Sequence, residues 1–273
     1  MPGSSRTMMT KTFPLFLAAA CALVLVACDK DKLQGTAPKP DAVATTAEPV
    51  TGFDKCREFF PGQLPRVPDL QARLPRDLCY DAFAILHSGH TKTPVFAVER
   101  LTVAQLQDAA DEQRTNRFFA DARLPQAERA TLEDYKGSGY DRGHMAPAAD
   151  MPTAQAMAQS FSLANMVPQA PENNRGVWAD IEKATRQYVK RAKGPVYVYT
   201  GPVYGRSGAQ VIGKGRVWVP SHLYKLVYDA GVNRAWGHWV ENSNEARASK
   251  PISYRELVQR TGIEFLPGLD PGE

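Results

Sequence analysis

The chain has 273 residues, of which 43% are hydrophobic and 23% are charged, and its formal net charge is +4. These fractions are ordinary for a globular protein, so they exclude a wholly disordered chain and allow one large domain or two small ones. Arg6 and Lys11 are the only charged residues before Cys28, and removing them from the 33 basic residues leaves 31 against 29 acidic ones. This small excess does not by itself indicate a polyanionic partner.

The first 27 residues have the pattern of an export signal. A short basic region precedes an apolar run from Phe13 to Ala27, which is shorter than the ~20 residues of a comfortable membrane span. Residues 25–28 read Leu-Val-Ala-Cys, which resembles the lipobox of bacterial lipoproteins, where the cysteine is acylated. We therefore expect a signal peptide over residues 1–27 and a lipid on Cys28. The alternatives are an uncleaved anchor and a plain signal peptide. With the lipid, the exported protein would lie on the periplasmic face of a membrane.

Residues 28–52 are rich in Lys, Asp, Ala, Thr and Pro and contain almost no large apolar side chain. Such a segment cannot bury enough surface to offset its ordering entropy, so it predicts a flexible tether. The folded domain is then expected over residues 53–273. Its two cysteines, Cys56 and Cys79, favour a disulfide in an exported protein, with two buried free thiols as the alternative.

The first half of this domain shows two strand patterns. Residues 56–77 are rich in Pro, Arg and Leu, which predicts an irregular segment. Strands are predicted over 80–86 and 94–100, separated by a turn at 88–90. Thr102, with Gln105 three residues later, predicts the start of a short helix. The polar stretch 108–139 predicts a loop that ends in a glycine-rich turn.

The second half alternates between helix and strand patterns. Helices are predicted over 152–161 and over 174–192, where the second has apolar residues at helical spacing. The β-rich stretches that follow are 196–200, 217–229 and 235–240. Ser253 and Glu256 form a capping box for a last helix that Gly262 closes. This order predicts an α+β domain with a mixed or antiparallel sheet.

A titratable cluster follows the glycine turn, in the stretch Asp141-Arg142-Gly143-His144. A histidine suits a general base because its ordinary pKa lies near neutral pH. A nearby carboxylate could orient its ring, and Arg142 could neutralise a phosphate. The alternative is a hairpin in which Asp141 and Arg142 form only a surface contact.

A second cluster contains Asn165, Asn174, Arg175 and Glu182. An asparagine at a helix start is usually a cap, but its side-chain oxygen also suits Mg²⁺, which keeps most of its waters and accepts few protein oxygens. Glu182 follows Asn174 by eight residues, ~12 Å along a helix, so it is better placed to hold a water of the metal than to be a direct ligand. The alternative for Glu182 is a solvated helix face. Asn173 is expected to matter little beyond a cap.

These motifs, in this order, resemble those of the DNA/RNA non-specific endonucleases, and within that family the endonuclease G-like members. The matching segments are Gly137–His144, Asn165–Gln169, Asn174–Trp178 with Glu182, Val198–Pro202 and Val219–Lys225. The similarity extends over about residues 94–242. It implies a ββα-metal (His-Me finger) nuclease core with flanking helices.

The resemblance also implies a role for each matching residue. The general base of the family falls on His144, its metal-binding asparagine on Asn174 and its supporting glutamate on Glu182. Asn165 matches an asparagine that helps to shape the site, and we expect it to contact substrate. We also expect Arg175, which stands where the family often has glutamine, to touch substrate.

A phosphate-binding arginine of the family falls in the segment 114–121, where Arg117 is favoured by spacing and Arg114 stays open. The resemblance implies Mg²⁺ (or Mn²⁺) as cofactor and DNA and RNA as substrates, and it allows a homodimer because related nucleases are often dimers. The main alternative function is a noncatalytic envelope lipoprotein that binds nucleic acid or protein. A phosphodiesterase for small molecules is a third.

Overall fold

The computed structural model describes residues 47–205 and 209–272. The expected signal peptide, the lipid site at Cys28 and most of the tether lie outside these residues. Within the described part, every helix is too short or too polar to cross a membrane.

Residues 47–205 and 209–272 form thirteen strands and six α-helices. The strands are β1 (Glu48–Pro49), β2 (Arg66–Val67), β3 (Pro75–Cys79), β4 (Phe83–Ser88), β5 (Thr93–Leu101), β6 (Asp141–His144), β7 (Met166–Gln169), β8 (Val196–Val203), β9 (Val211–Ile212), β10 (Val217–Trp218), β11 (His222–Asp229), β12 (Arg234–Glu241) and β13 (Ile252–Ser253). The helices are α1 (Val103–Asp108), α2 (Leu132–Tyr135), α3 (Ala154–Ser160), α4 (Pro171–Asn173), α5 (Ala179–Val189) and α6 (Tyr254–Thr261).

A seven-stranded sheet forms the centre of the fold, in the order β13-β12-β11-β8-β5-β4-β3. All of its neighbouring strands run antiparallel. β6 and β7 form a separate antiparallel pair. The expectation of an α+β domain with an antiparallel sheet is therefore confirmed.

Both faces of the central sheet are buried because successive side chains of its strands enter two different cores. In β4, Phe83 and Ile85 pack into a core with Trp178, whereas Ala84 and Leu86 pack into the opposite core with Phe96. The N-terminal segment and α6 cover the Phe96 side. The segment from β6 to α5 covers the other side and is thereby fixed against the sheet.

Several predicted elements are present with their predicted caps. The side chain of Thr102 accepts a hydrogen bond from the amide of Gln105 at the start of α1. Ser253 does the same for Glu256 at the start of α6. Gly262 ends α6 with a φ of +72°, a left-handed conformation that favours glycine.

Other elements differ from the prediction. β3 lies partly in the segment predicted to be irregular, and the run predicted as one strand over 217–229 is two strands, because it contains Pro220, which has no amide to donate. The folded part also begins before the expected boundary at Phe53. β1 pairs with β2, and Val50 is buried.

The helix predicted over 174–192 is divided. A first turn, α4, begins at Pro171, and a wide turn over Asn174–Trp178 leads into α5. Gly176 has non-helical backbone angles (φ −109°, ψ −106°) that separate the two parts. The buried residues of α5, Ile181, Thr185 and Val189, keep the predicted helical spacing.

A disulfide joins Cys56 to Cys79, with Cα atoms 5.7 Å apart, as the sequence predicts. It ties the N-terminal segment to β3, the edge strand of the central sheet. Closing a loop of this length contributes about 3 kcal/mol to stability when the bond is unstrained.

The fully buried His87 of β4 predicts a loss of stability in acid. Its Nε2 lies 2.9 Å from the backbone oxygen of Glu128, and burial lowers its pKa to about 4. Because the unfolded chain binds this proton near pH 6.5, the stability due to His87 is complete above that pH and is lost as the pH falls towards 4.

We expect the difference in unfolding free energy between pH 7 and pH 4.5 to be about 2 kcal/mol smaller in His87→Asn than in the wild type. Denaturant unfolding at both pH values measures it. The exposed His90, changed to Asn, is the control. An unchanged difference in His87→Asn would contradict the assignment.

Candidate active site

The predicted motifs meet on β6, β7 and the helical segment that follows them. β6 and β7 pair in a register that places Asp141 opposite Gln169 and His144 opposite Met166. α4 begins two residues after β7 and leads through the wide turn into α5. Two antiparallel strands followed by a helix therefore carry the predicted base, the predicted metal ligand and the predicted supporting glutamate.

Gly143 is required by the close approach of these two strands. A Cβ atom at this position would overlap the side chain of Gln169. The Gln169 amide in turn donates a hydrogen bond of 2.7 Å to Asn173. The glycine thus lets the strand that carries His144 lie directly against the start of the helical segment.

His144 is 8% exposed and lies between aromatic rings. Its ring packs edge-on against Phe161 at 5.0 Å and near Phe118 at 5.9 Å. Burial, and then the positive charge of Arg114, lower its pKa to about 3, so the imidazole is uncharged at neutral pH. Its Nε2 has no hydrogen-bond partner among the described residues. A neutral imidazole is the form that a general base requires.

Asn165 is a structural residue, which corrects the prediction that it binds substrate. It is fully buried, and all of its polar atoms are engaged by the chain itself. Its Nδ2 donates to the backbone oxygens of Ala146 (2.9 Å) and Ser160 (3.0 Å), and its Oδ1 accepts from the amide of Ala146 (2.9 Å). These bonds fix the backbone just after His144, so Asn165 shapes the site without reaching a ligand.

Asn174 and Arg175 both contact Asp141 on β6. The Nδ2 of Asn174 donates to Asp141 at 2.9 Å, and the Arg175 guanidinium forms two bonds with the same carboxylate, at 2.9 and 2.7 Å. Asn174 has helical backbone angles and makes no capping bond, so it is not the helix cap that the sequence suggested. Because Nδ2 is held in this way, Oδ1 is the atom of the Asn174 amide that can coordinate a metal ion.

Asn173 has a different role from its neighbour. It is 1% exposed, accepts the bond from Gln169 and donates to the backbone oxygen of Glu241 at 2.5 Å. The expectation that Asn173 matters little is therefore wrong, because removing a buried amide leaves its partners without hydrogen bonds.

Glu182 of α5 lies in a group of buried charges. Arg186 forms an ion pair of 3.0 Å with Asp150, and the buried Lys225 donates to Thr200 at 2.7 Å. Burial raises the pKa of Glu182 to about 7, while Lys225 acts to lower it. Sequence reasoning missed Arg186, although it lies four residues after Glu182 and so on the same face of the helix.

The structure favours Arg114 over Arg117 as the arginine of the site. The Arg114 guanidinium lies 5.1 Å from the centre of the Phe161 ring, the same ring that packs against His144. Its charge acts on the pKa of both His144 and Glu182. Arg117 has no hydrogen bond or ion pair with any part of the chain that the structure describes. Arg114, which the sequence left open beside Arg117, is therefore the one of the two whose charge reaches the site.

Arg142 lies beside the histidine. Its guanidinium stacks over Phe118 at 4.2 Å, and its Nε is buried without a partner among residues 47–205 and 209–272. Phe118 therefore contacts both Arg142 and His144. These residues are two positions apart in β6, and because side chains alternate along a strand, both lie on the same side of it.

Comparison with known proteins identifies the family. The sequence model of the DNA/RNA non-specific endonucleases matches residues 62–271. The chain belongs to this family.

Two human relatives are similar to most of the chain. Mitochondrial endonuclease G from Homo sapiens is 36% identical over 221 residues, which cover 76% of this chain and 72% of that protein. Mitochondrial nuclease EXOG from Homo sapiens is 34% identical over 213 residues, covering 70% of this chain. The matched part spans only 57% of the length of EXOG.

A fungal relative and a solved structure extend the comparison. Nuclease C1 from Cunninghamella echinulata is 34% identical and covers 70% of this chain and 82% of its own length. The crystal structure of the EndoG/EndoGI complex contains a chain that superposes with a TM-score of 0.65 at 23% identity, covering 79% of this chain and 91% of that one. The predicted α+β fold of the ββα-metal nucleases is confirmed.

The contrast between Arg114 and Arg117 gives a direct prediction. Since only Arg114 acts on His144, we expect Arg114→Ala to lower kcat/KM for DNA cleavage by ~10²-fold, as the loss of a charged donor at a reacting phosphate does. Arg117→Ala removes the same charge from the same exposed segment and should change kcat/KM less than threefold. Steady-state kinetics on plasmid DNA compares the two variants. A larger loss in Arg117→Ala would restore the assignment made from spacing.

Proposed function

We propose that this protein is a metal-dependent endonuclease that hydrolyses phosphodiester bonds in DNA and RNA without sequence specificity. The observation that carries the proposal is the uncharged imidazole of His144, which packs against the same Phe161 ring as the Arg114 guanidinium. A base next to a phosphate-binding cation is the arrangement that hydrolysis of a phosphodiester needs.

The residues around Asn174 fit a hard divalent cation. Asp141 fixes the Asn174 amide through its nitrogen, which leaves the oxygen free for a metal. In the described ranges, no three His, Cys, Asp or Glu side chains form a cluster that could enclose a metal ion. This donor set suits Mg²⁺ or Mn²⁺ held mainly by water, with Asn174 as the protein ligand. When bound, such an ion stabilises the negative charge that develops on the phosphate.

The chain's own groups supply the remaining steps. The imidazole of His144 accepts a proton from the water that attacks phosphorus. Arg114 donates hydrogen bonds to phosphate oxygens, and Glu182 accepts hydrogen bonds from water in the cleft. Asp141 positions Asn174, and Asn165 positions the backbone just after His144. The contacts that these residues make with phosphate do not depend on which base is attached, so both DNA and RNA can be substrates.

Removal of the proposed base tests the reaction. We expect His144→Ala to lower the rate of plasmid cleavage by ~10²–10⁴-fold, because that is the usual contribution of general-base catalysis. Wild-type cleavage should require added Mg²⁺ and stop with a chelator. Near wild-type turnover by folded His144→Ala at neutral pH would exclude this histidine as the base. Binding of DNA without any cleavage by the wild type would instead favour a noncatalytic envelope lipoprotein, and preference for a small chromogenic diester would favour a phosphodiesterase.

The adjacent asparagines separate metal binding from folding. We expect Asn174→Ala to keep the wild-type melting temperature but to need much more Mg²⁺ for activity, since it removes the oxygen donor. Asn173→Ala should lower the unfolding free energy by about 1–3 kcal/mol, because it leaves buried partners unsatisfied. Thermal melts and Mg²⁺ titrations of cleavage measure both. If Asn173→Ala is stable and shifts the Mg²⁺ requirement while Asn174→Ala does not, the metal ligand has been misassigned.

We also propose that residues 1–27 are removed and that Cys28 is acylated, which would hold the domain on the periplasmic face of a membrane. The support is the lipobox-like sequence 25–28. Membrane fractionation of Cys28→Ala should move the protein into the soluble fraction. A Cys28→Ala protein that stays in the membrane fraction without any other anchor would refute the lipid.

A further inference from the structure

A groove of about 430 Å³ opens beside the site and is lined on one side by the exposed face of α5. The other side is formed by the end of α1 and the segment that leads to Arg114. Four positively charged side chains line it, together with a single carboxylate, that of Glu112. The cations are Arg114, Lys183, Arg186 and Lys190.

The residues of α5 that face the groove follow the helical repeat. Arg186, Gln187 and Lys190 follow Lys183 by three, four and seven residues. The four side chains therefore form one stripe along the helix. Arg186 is engaged by Asp150, which leaves the exposed Lys183 and Lys190 free to bind a ligand. Seven residues of helix rise ~10 Å. This matches the axial rise of about three nucleotides of one B-form strand, at ~3.4 Å each.

The groove is continuous with the proposed catalytic site. Arg114 lines the groove and acts on His144, and Arg186 lines it and acts on Glu182. A strand whose scissile phosphate lies at Arg114 and His144 can therefore continue along α5 without leaving positively charged surface. The overall charge of the chain is small, so attraction for a polyanion must come from local clusters of positive charge such as this stripe.

We propose that this groove is a binding subsite for a nucleic-acid strand beyond the scissile phosphate, in which Lys183 and Lys190 contact backbone phosphates and Gln187 lies between them. The proposal rests on the proposed nuclease function and extends it by naming which part of a long substrate the enzyme holds. Such a subsite makes the enzyme prefer substrates that extend several nucleotides past the cleaved bond.

Binding of a labelled single-stranded DNA 20-mer to the His144→Ala protein at several salt concentrations tests the subsite. Each phosphate contact contributes about 0.7 to the slope of log affinity against log salt for a single strand. We expect Lys183→Gln/Lys190→Gln, in that background, to reduce the magnitude of the slope by about 1.4. Arg191→Gln/Lys193→Gln removes two charges from the segment just after α5, at positions that do not line the groove, and should leave the slope unchanged.

Kinetics with an intact His144 gives a second readout. For Lys183→Gln/Lys190→Gln, the ratio of kcat/KM for the 20-mer to kcat/KM for a small chromogenic diester should fall, and for the control pair it should not. Equal slopes and equal ratios in the two double variants would overturn the subsite. Failure of the wild type to cleave any substrate with Mg²⁺ would overturn the proposed function instead, and the binding experiment would still decide whether the groove holds a strand.

Discussion

The pairing of β6 with β7 is the constraint on which the site depends. It sets Asp141 and His144 three residues apart on a strand whose end is fixed by the fully satisfied amide of Asn165. Gly143 makes the pairing possible because any side chain there would overlap Gln169. Asp141 then reaches Asn174, so one strand positions both the proposed base and the proposed metal ligand. A slip of one residue would turn each of these side chains to the opposite face.

The sheet behind this pair carries charges that a core normally excludes. Glu99, Asp150 and Lys225 are each at most 3% exposed. Burial and then the nearby Asp150 raise the pKa of Glu99 well above its usual range, which favours its protonated form. Protonation of one carboxyl lowers the free-energy cost of burying these three side chains, because an unpaired buried charge is far more unfavourable than a neutral acid. The remaining charges surround Glu182, and their balance sets how readily it ionises.

Sequence alone predicted the features that depend on local spacing. The glycine-rich turn before β6 and the caps at Thr102 and Ser253 follow from residues close together in the sequence. The disulfide follows from the two cysteines of an exported domain. Features that depend on contacts between distant segments were missed. Spacing could not separate Arg114 from Arg117, because only the packing of the exposed segment against Phe161 decides between them. Nor could the sequence show that Asn173 bonds a strand 68 residues away, or that Gly176 divides the predicted helix.

The position of Arg114 links substrate binding to the strength of the base. In the free protein, burial and then the positive charge of Arg114 oppose protonation of His144, which keeps the imidazole neutral but makes it a weak base. A bound phosphodiester places a negative charge against Arg114 and so offsets its effect on the ring. The pKa of His144 should therefore rise when substrate occupies the site, and the proton of the attacking water is accepted more readily at that moment. In the proposed mechanism, the guanidinium that binds the phosphate therefore also adds to the effect of burial in keeping the base weak while the site is empty.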